Sequence, residues 1–311
     1  MLILDEKKVR KGKPIGLPYQ GSKKKISKKI VEIIKQNFGT ERPVYDIFGG
    51  GGAITAECLL NGLEVHYNDL DRTITDMFQR VLDTDREFLK TLIVSRDEFL
   101  KIREKENKTV DDNLKLLVNS FGNNRKAYLY SEEFSDLKHN LAIEIIKNHD
   151  TFSGYKKTDT YKNAYRPFDI GKVDRAQVLQ QLQRLHQLQR LQQLQQLQQL
   201  ERIQKASIKN IKITNQDYTH FSYLTNTIIY LDPPYENTIL KGYSIKEFNS
   251  QPFYDWAYEM SKKNIVLISS YEISDSRFEC VYEFKSVRST YASGPRGKHT
   301  EKLFMVKKGE E

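Results

Sequence analysis

The sequence has only two cysteines, Cys58 and Cys280, in 311 residues. A disulfide scaffold is therefore excluded, and a reducing compartment is expected. No apolar run approaches the ~18 residues that span a bilayer. The opening MLILDEKKVRKG has too short an apolar stretch for a signal peptide. The six histidines are scattered and the cysteines lie far apart, so metal-ligand spacing is lacking and no metal is expected. Aromatic residues, by contrast, are plentiful, with 18 Tyr and 15 Phe. A chain with that content can bury a core, which argues against wholesale disorder. Lys and Arg number 50 against 41 Asp and Glu, a net charge of +9. This excess favours a polyanionic partner without requiring one.

The length suits two domains, or one domain carrying a large insertion. Residues 1–71 read as a basic helical lead followed by a β-α-β unit. PVYDIF (43–48) is a short apolar strand that runs into four glycines. AITAECLL (53–60) has helical composition and stops at Asn61-Gly62. LEVHYN (63–68) alternates as a second strand, so the pair should be parallel with a crossover. Residues 72–205 change character. Charged helical stretches such as 83–107 alternate with polar, Tyr-rich loops, and 150–171 has turn residues without periodicity. This reads as a mainly helical insertion.

Its last part, 176–205, carries leucine at every third position from 179 to 200, with glutamine filling most gaps. A helix is predicted there. Three residues turn 300° on an α-helix, so each leucine falls 60° behind the last. That is not the spacing of a coiled coil. Two readings fit. The buried face rotates, meeting the insertion at one end and the sheet at the other, or the segment is a surface helix whose length matters little. From 206 strand signals return in 211–218, 227–235 and 263–272. Residues 280–290 and 301–307 flank a Gly/Pro/basic loop as a terminal antiparallel hairpin.

The strongest chemical signal is Asp232-Pro233-Pro234-Tyr235, directly after the apolar run IIYL. A carboxylate at the carboxyl end of a buried parallel strand lies where open α/β sheets bind ligands. The prolines stiffen the turn and remove two N–H donors. The Pro233 carbonyl and the Asp232 carboxylate then form a pair of acceptors beside the Tyr235 ring. That suits a flat base with an exocyclic amino group. Accepting both amino protons frees the nitrogen lone pair to attack an electrophilic methyl group.

These residues resemble those of the D12-class, Dam-type DNA adenine N6-methyltransferases, over about 1–71 and 206–311. LPYQGSKKKI (17–26) resembles the family's N-terminal motif, which maps Tyr19 and Lys23 to S-adenosylmethionine contacts. DIFGGGGA (46–53) resembles its glycine-rich cofactor loop, with Asp46, Phe48, Gly49 and Gly51. NDLD (68–71) resembles the acidic second motif and NQDY (215–218) the third. The resemblance implies a Rossmann-like α/β methyltransferase sheet, split by an inserted target-recognition region, with S-adenosylmethionine as cofactor. The residues agree. The fingerprint G-x-G-x-x-G fails from Gly49 and from Gly50, which argues against a dinucleotide. Asp69 stands 18 positions after Gly51, about where an acid takes ribose hydroxyls. Asp217 would accept from the cofactor's adenine, with Tyr218 or Phe48 against the ring.

The implied substrate is a flipped-out adenine in duplex DNA. Tyr155, Lys156, Lys157 and Arg166 lie in a basic, aromatic loop suited to phosphate contacts and stacking. Arg125 and Lys126 lie in NSFGNNRKAYLY (119–130), which loosely resembles the family's recognition segment but lacks its Arg-aromatic-Asn continuation. Arg296 and Lys298 belong to a second basic loop. Neither cysteine lies near a motif, so covalent catalysis through cysteine is not expected. The expected setting is a bacterial or phage-encoded cytoplasmic enzyme. Double-stranded DNA is its partner, and a cognate restriction endonuclease is a candidate second one. Methylation of cytosine N4, RNA adenine or a protein glutamine amide stays open. So does a catalytically idle nucleic-acid-binding or scaffold protein.

Overall fold

The computed structural model describes residues 1–19, 22–164, 190–206, 211–236, 248–284 and 300–307. The chain divides into two compact units. The first comprises Met1–Leu17, Gly21–Gln79 and Ala206–Glu311; the second comprises Pro18–Gln20 and Arg80–Lys205.

The first unit is built on a seven-stranded sheet: β1 (Val44–Asp46), β2 (Val65–Asn68), β3 (Lys212–Thr214), β4 (Ile228–Leu231), β5 (Ile265–Ser270), β6 (Phe278–Glu283) and β7 (Lys302–Val306). Their order is β3-β2-β1-β4-β5-β7-β6. The first five are parallel; β7 runs antiparallel to β5, and β6 antiparallel to β7. The expected mostly parallel sheet with a terminal antiparallel hairpin is therefore present, with β7 lying inside β6.

All four residues of β4, IIYL, are buried, as a strand covered on both faces must be. On one face Ile30, Ile33 and Ile34 of α1 (Ser27–Phe38) and Ile54 and Cys58 of α2 (Ala53–Leu60) cover Val44, Ile228, Tyr230 and Leu267. On the other, Phe253, Tyr254, Ala257 and Met260 of the helix Ser250–Ser261 cover Ile229, Leu231, Val266 and Ile268. The sheet winds one way from β1 to β2 and β3, and the other way to β4 and β5. The carboxyl ends of β1 and β4 therefore flank a topological switch point, where such sheets leave a crevice.

The second unit is helical: α4 (Arg86–Lys90), α5 (Arg96–Glu104), α6 (Val110–Val118), α7 (Glu132–His149), α8 (Asp159–Ala164) and α9 (Gln192–Lys205), with α3 (Arg72–Leu82) ending inside it. The stretch 83–107 breaks into two helices because Ser95 caps α5, accepting from the Glu98 amide at 3.2 Å. Leu92, Ile93 and Val94 meanwhile turn inward. Residues 150–164 hold more structure than their sequence suggests. A single 3-10 turn covers Tyr155–Lys157, and Thr158 then accepts from the Tyr161 amide at the start of α8.

Leu191, Leu194, Leu197, Leu200 and Ile203 are all fully buried. Leu194 and Ile203 lie three steps of 300° apart, hence on opposite sides of α9. The buried face of α9 therefore rotates along its length within its own unit, and these residues are not those of a surface helix. The expected part of the helix from 176 to 189 lies outside the described residues.

Candidate active site

Acidic residues follow the parallel strands at their carboxyl ends: Asp46 closes β1, Asp69 follows β2, Asp217 follows β3 and Asp232 follows β4. Asp46 reaches from the strand to the first turn of α2. Its Oδ2 accepts from the Thr55 amide at 3.1 Å and the Thr55 hydroxyl at 2.6 Å. Its Oδ1 is buried without a hydrogen-bond partner. Burial raises its pKa to about 7, Thr55 opposes the rise, and the Asp232 and Asp69 charges add to it.

The glycine loop is braced by the protein itself. The Gly49 amide donates to the Asn68 carbonyl at 2.8 Å, the Tyr67 hydroxyl to the Gly50 carbonyl at 2.7 Å, and the Leu17 amide to the Gly51 carbonyl at 2.8 Å. A Cβ on Gly49 would overlap the Tyr67 ring, and one on Gly52, at φ +70°, would overlap Phe78. Two of the four glycines are therefore required by neighbouring rings, a different reason from close ligand approach. Asp69 accepts from the Gly50 amide on Oδ2 at 2.7 Å and from the Asp71 amide on Oδ1 at 2.8 Å. Each oxygen keeps further lone-pair capacity. Burial raises Asp69 to about 6, opposed by those two amides.

The asparagines of the second and third motifs are scaffolding. Asn68 donates to the Ile47 and Gln216 carbonyls and accepts from the Gln216 amide and Thr214 hydroxyl, all at 2.9 Å. Asn215 donates to the Asp69 and Leu70 carbonyls. Asp217 is exposed, and its Oδ1 caps the 3-10 helix Tyr218–Tyr223 through the Thr219 amide and hydroxyl. Phe48 and Tyr218 lie near each other, their rings 6.2 Å apart and 27° from parallel.

At β4, Lys23 Nζ is 2.7 Å from Asp232 Oδ1, an ion pair with both side chains mostly covered. Lys23, expected at the cofactor, is thus paired with the acid of the Asp-Pro-Pro-Tyr motif. The Tyr235 hydroxyl donates to Glu301 Oε2 at 2.8 Å and, more weakly, to Asp232 Oδ1 at 3.3 Å. Lys23 Nζ stands 4.8 Å from the Tyr235 ring centroid, and the Tyr235 and Tyr271 ring centroids lie 4.6 Å apart in an edge-to-face arrangement. Burial raises Asp232 to about 6; Lys23 lowers it and Glu301 raises it. Pro233 is buried and Pro234 half-buried in the same turn.

Glu301, at 9% exposed, was not anticipated from the sequence. Its signal is topological. It immediately precedes β7, and β7 is antiparallel to β5, with Ser270 opposite Lys302. The start of β7 therefore lies level with the carboxyl ends of the parallel strands. Among the described residues no group of three His, Cys, Asp or Glu could hold a metal ion, and no helix is long and apolar enough to cross a membrane.

The remaining expected residues are dispersed. Tyr19 is half-buried and falls in the second unit. Lys126, Lys156 and Lys157 are exposed there. Arg125, at φ +62°, is half-buried and donates to Asn113 Oδ1 at 3.2 Å. Tyr155 departs from its expected role on DNA. Its ring is buried against Tyr161, and its hydroxyl accepts from the Leu191 amide. Phe121, in the same loop as Arg125 and Lys126, is instead 64% exposed. Arg166, Arg296 and Lys298 lie outside the described residues.

Residues 19–293 match the model of the D12 class N6 adenine-specific DNA methyltransferase family. No curated protein matches the chain. Among solved structures, the protein yhhF of Escherichia coli, described as a methyltransferase, has a TM-score of 0.33 at 9% identity, over 94% of this chain and 92% of that one. The rRNA methyltransferase aviRa of Streptomyces viridochromogenes has a TM-score of 0.32 at 9% identity, over 88% of this chain and 83% of that one. With the family match running from ahead of Lys23 to beyond Tyr235, the chain belongs to the D12 class N6 adenine-specific DNA methyltransferase family.

Proposed function

We propose that this protein transfers a methyl group from S-adenosylmethionine to the N6 amino group of a flipped-out adenine at a defined site in duplex DNA. The observation that carries the reading is Asp232-Pro233-Pro234-Tyr235 at the carboxyl end of β4, beside the switch point.

The cofactor fits the residues present. Asp46 is buried, and the mostly covered carboxylates Asp232 and Glu301 share one lysine, Lys23. Such a cluster favours a ligand carrying positive charge, and Asp46 Oδ1 is a buried acceptor without a partner. Asp69 and the Gly49–Gly51 backbone would hold the nucleoside, with Phe48, Tyr218 and Asp217 at its base. Lys23 would hold the carboxylate and Asp46 the ammonium group. When bound, S-adenosylmethionine supplies a methyl group made electrophilic by its sulfonium.

Asp232 and the Pro233 carbonyl accept hydrogen bonds from the two hydrogens of the adenine amino group, and one of these protons leaves to solvent once the nitrogen carries the methyl group. As the nitrogen becomes tetrahedral, it acquires positive charge, which the Asp232 carboxylate stabilises. Tyr235 lends its ring to the extruded base, and stacking worth ~1–3 kcal/mol offsets part of the unstacking cost. In the helical unit, Arg125, Lys126, Lys156 and Lys157 would contact phosphates, and exposed Phe121 offers the free aromatic face that Tyr155 lacks.

The test is methyl-labelled S-adenosylmethionine with unmethylated duplex DNA, followed by nucleoside analysis. N6-methyladenine is expected. Label confined to cytosine, RNA or protein would overturn the reading, and no transfer would favour a binding or scaffold protein.

A further inference from the structure

The Tyr235 hydroxyl has two carboxylates within reach and divides itself unequally between them, 2.8 Å from Glu301 and 3.3 Å from Asp232. The same two carboxylates share Lys23, at 2.7 Å from Asp232 and 3.8 Å from Glu301. Asp232 is the acceptor on which the proposed chemistry depends, and every donor that settles on it competes with the substrate amino group. Hydrogen bonds to an ionised acceptor are roughly twice as strong as neutral ones. A second carboxylate is therefore the effective device for holding a phenol hydroxyl off the first. Bringing two buried carboxylates together costs stability, so the arrangement calls for a reason beyond packing.

We propose that Glu301 is a positioning residue for methyl transfer: it draws the Tyr235 hydroxyl away from Asp232, keeping the Asp232 oxygens for the target amino group. This rests on the reaction proposed above for Asp232. It adds a role to a residue outside every motif named in the sequence. It also gives Tyr235 two jobs. The ring serves the base, while the hydroxyl fixes the ring's orientation through Glu301.

Among the described residues, the charged and titratable groups around Asp232 are Lys23, Glu301 and Tyr235, with Asp46, Asp69 and Tyr230 close enough for their charges to interact with it. Replacing Glu301 by glutamine removes a negative charge that raises Asp232 and turns the Tyr235 hydroxyl onto it. Both effects lower the pKa of Asp232 from about 6.

The test uses the full chain, wild type, Glu301→Gln and Glu301→Gln with Tyr235→Phe, each checked for an unchanged circular dichroism spectrum. The two readouts are kcat for methyl transfer and the titration of Asp232 by carboxyl-13C NMR, assigned through Asp232→Asn. Glu301→Gln is expected to lower kcat, measured at saturating S-adenosylmethionine, about tenfold. The Asp232 titration should move to lower pH by about one unit. Adding Tyr235→Phe should recover part of both, because no hydroxyl is left to compete.

A kcat in Glu301→Gln within twofold of wild type would overturn the proposal. So would an unmoved Asp232 titration, or a double variant no better than the single one. If Glu301→Gln does not fold, Glu301→Asp, which keeps the charge but shortens the reach, should show the same shifts in smaller measure. Its matching wild type in both readouts would overturn the proposal. If the wild type methylates no adenine, the proposed function fails, whereas the NMR titrations still decide whether Glu301 controls the hydroxyl.

Discussion

Each unit buries a polar cluster, and the two clusters differ in kind. In the helical unit, Gln193 is fully buried and its Nε2 donates to Asn119 Oδ1 at 2.6 Å and, at 3.2 Å, to the Val94 carbonyl and Tyr128 hydroxyl. Asn119 passes the chain on to the Leu92 carbonyl at 2.7 Å, and the Gln193 amide is met by the Tyr130 hydroxyl. These are neutral groups, joined mainly to one another, linking α9 to the segments around α5 and α6. At the carboxyl end of the first unit's sheet the covered groups are mainly carboxylates. Asp46, Asp69 and Asp232 all have raised pKa values. The first cluster has the composition of a structural clamp. The second is costly to fold, which fits the binding and stabilising role proposed for it.

Asp232→Asn separates the two most strongly. Methyl transfer should fall about 100- to 1,000-fold, while thermal stability stays level or rises as a buried charge is removed. A matching loss of melting temperature would assign Asp232 to structure. In the helical unit the sign reverses. Leu197→Ala should cost about 2–5 kcal/mol and Gln193→Ala about 1–3 kcal/mol in urea unfolding. Either variant should keep its kcat at a temperature where it is folded.

Acidity sharpens the contrast. In the unfolded chain carboxylates titrate near 4, whereas folded Asp46 holds its proton to about 7, and Asp69 and Asp232 to about 6. Between those limits the folded state binds more protons, so these groups make stability fall as pH rises from about 4 towards 7. The urea midpoint should therefore gain from them on going from pH 7.5 to 5.5. Over that same interval kcat falls, with a midpoint near 6, as Asp232 becomes protonated. Asp46→Asn should add on the order of 1 kcal/mol of stability at pH 7.5 and flatten this dependence. An unchanged slope in that variant would mean that Asp46 is not its source. The smallest effect is expected from Lys156→Ala and Lys157→Ala. Each should weaken DNA binding several-fold and reduce the salt slope by about 1, without altering the melting temperature.

Much of this was legible from local pattern. AITAECLL between four glycines and Asn-Gly forms a helix with those limits, and IIYL before Asp232 forms a fully buried strand. Both follow from composition and punctuation over a few residues. What was not legible depends on pairing. Glu301 joins the site only because β7 is antiparallel and begins at the carboxyl edge. The role of Gly49 depends on Tyr67, eighteen positions later, and the burial of Tyr155 on Leu191. Lys23 could be placed near the site by its motif. Its ion pair with Asp232 required the fold.

The carboxyl end of β4 is proposed to transfer methyl groups to adenine in DNA. The most direct test is mapping N6-methyladenine on plasmid DNA from a methylation-free host expressing the wild type or Asp232→Asn. Methylated adenines at one recurring sequence are expected with the wild type and none with the variant. Unmodified plasmid from cells containing soluble wild-type protein, or equal modification with Asp232→Asn, would contradict that role.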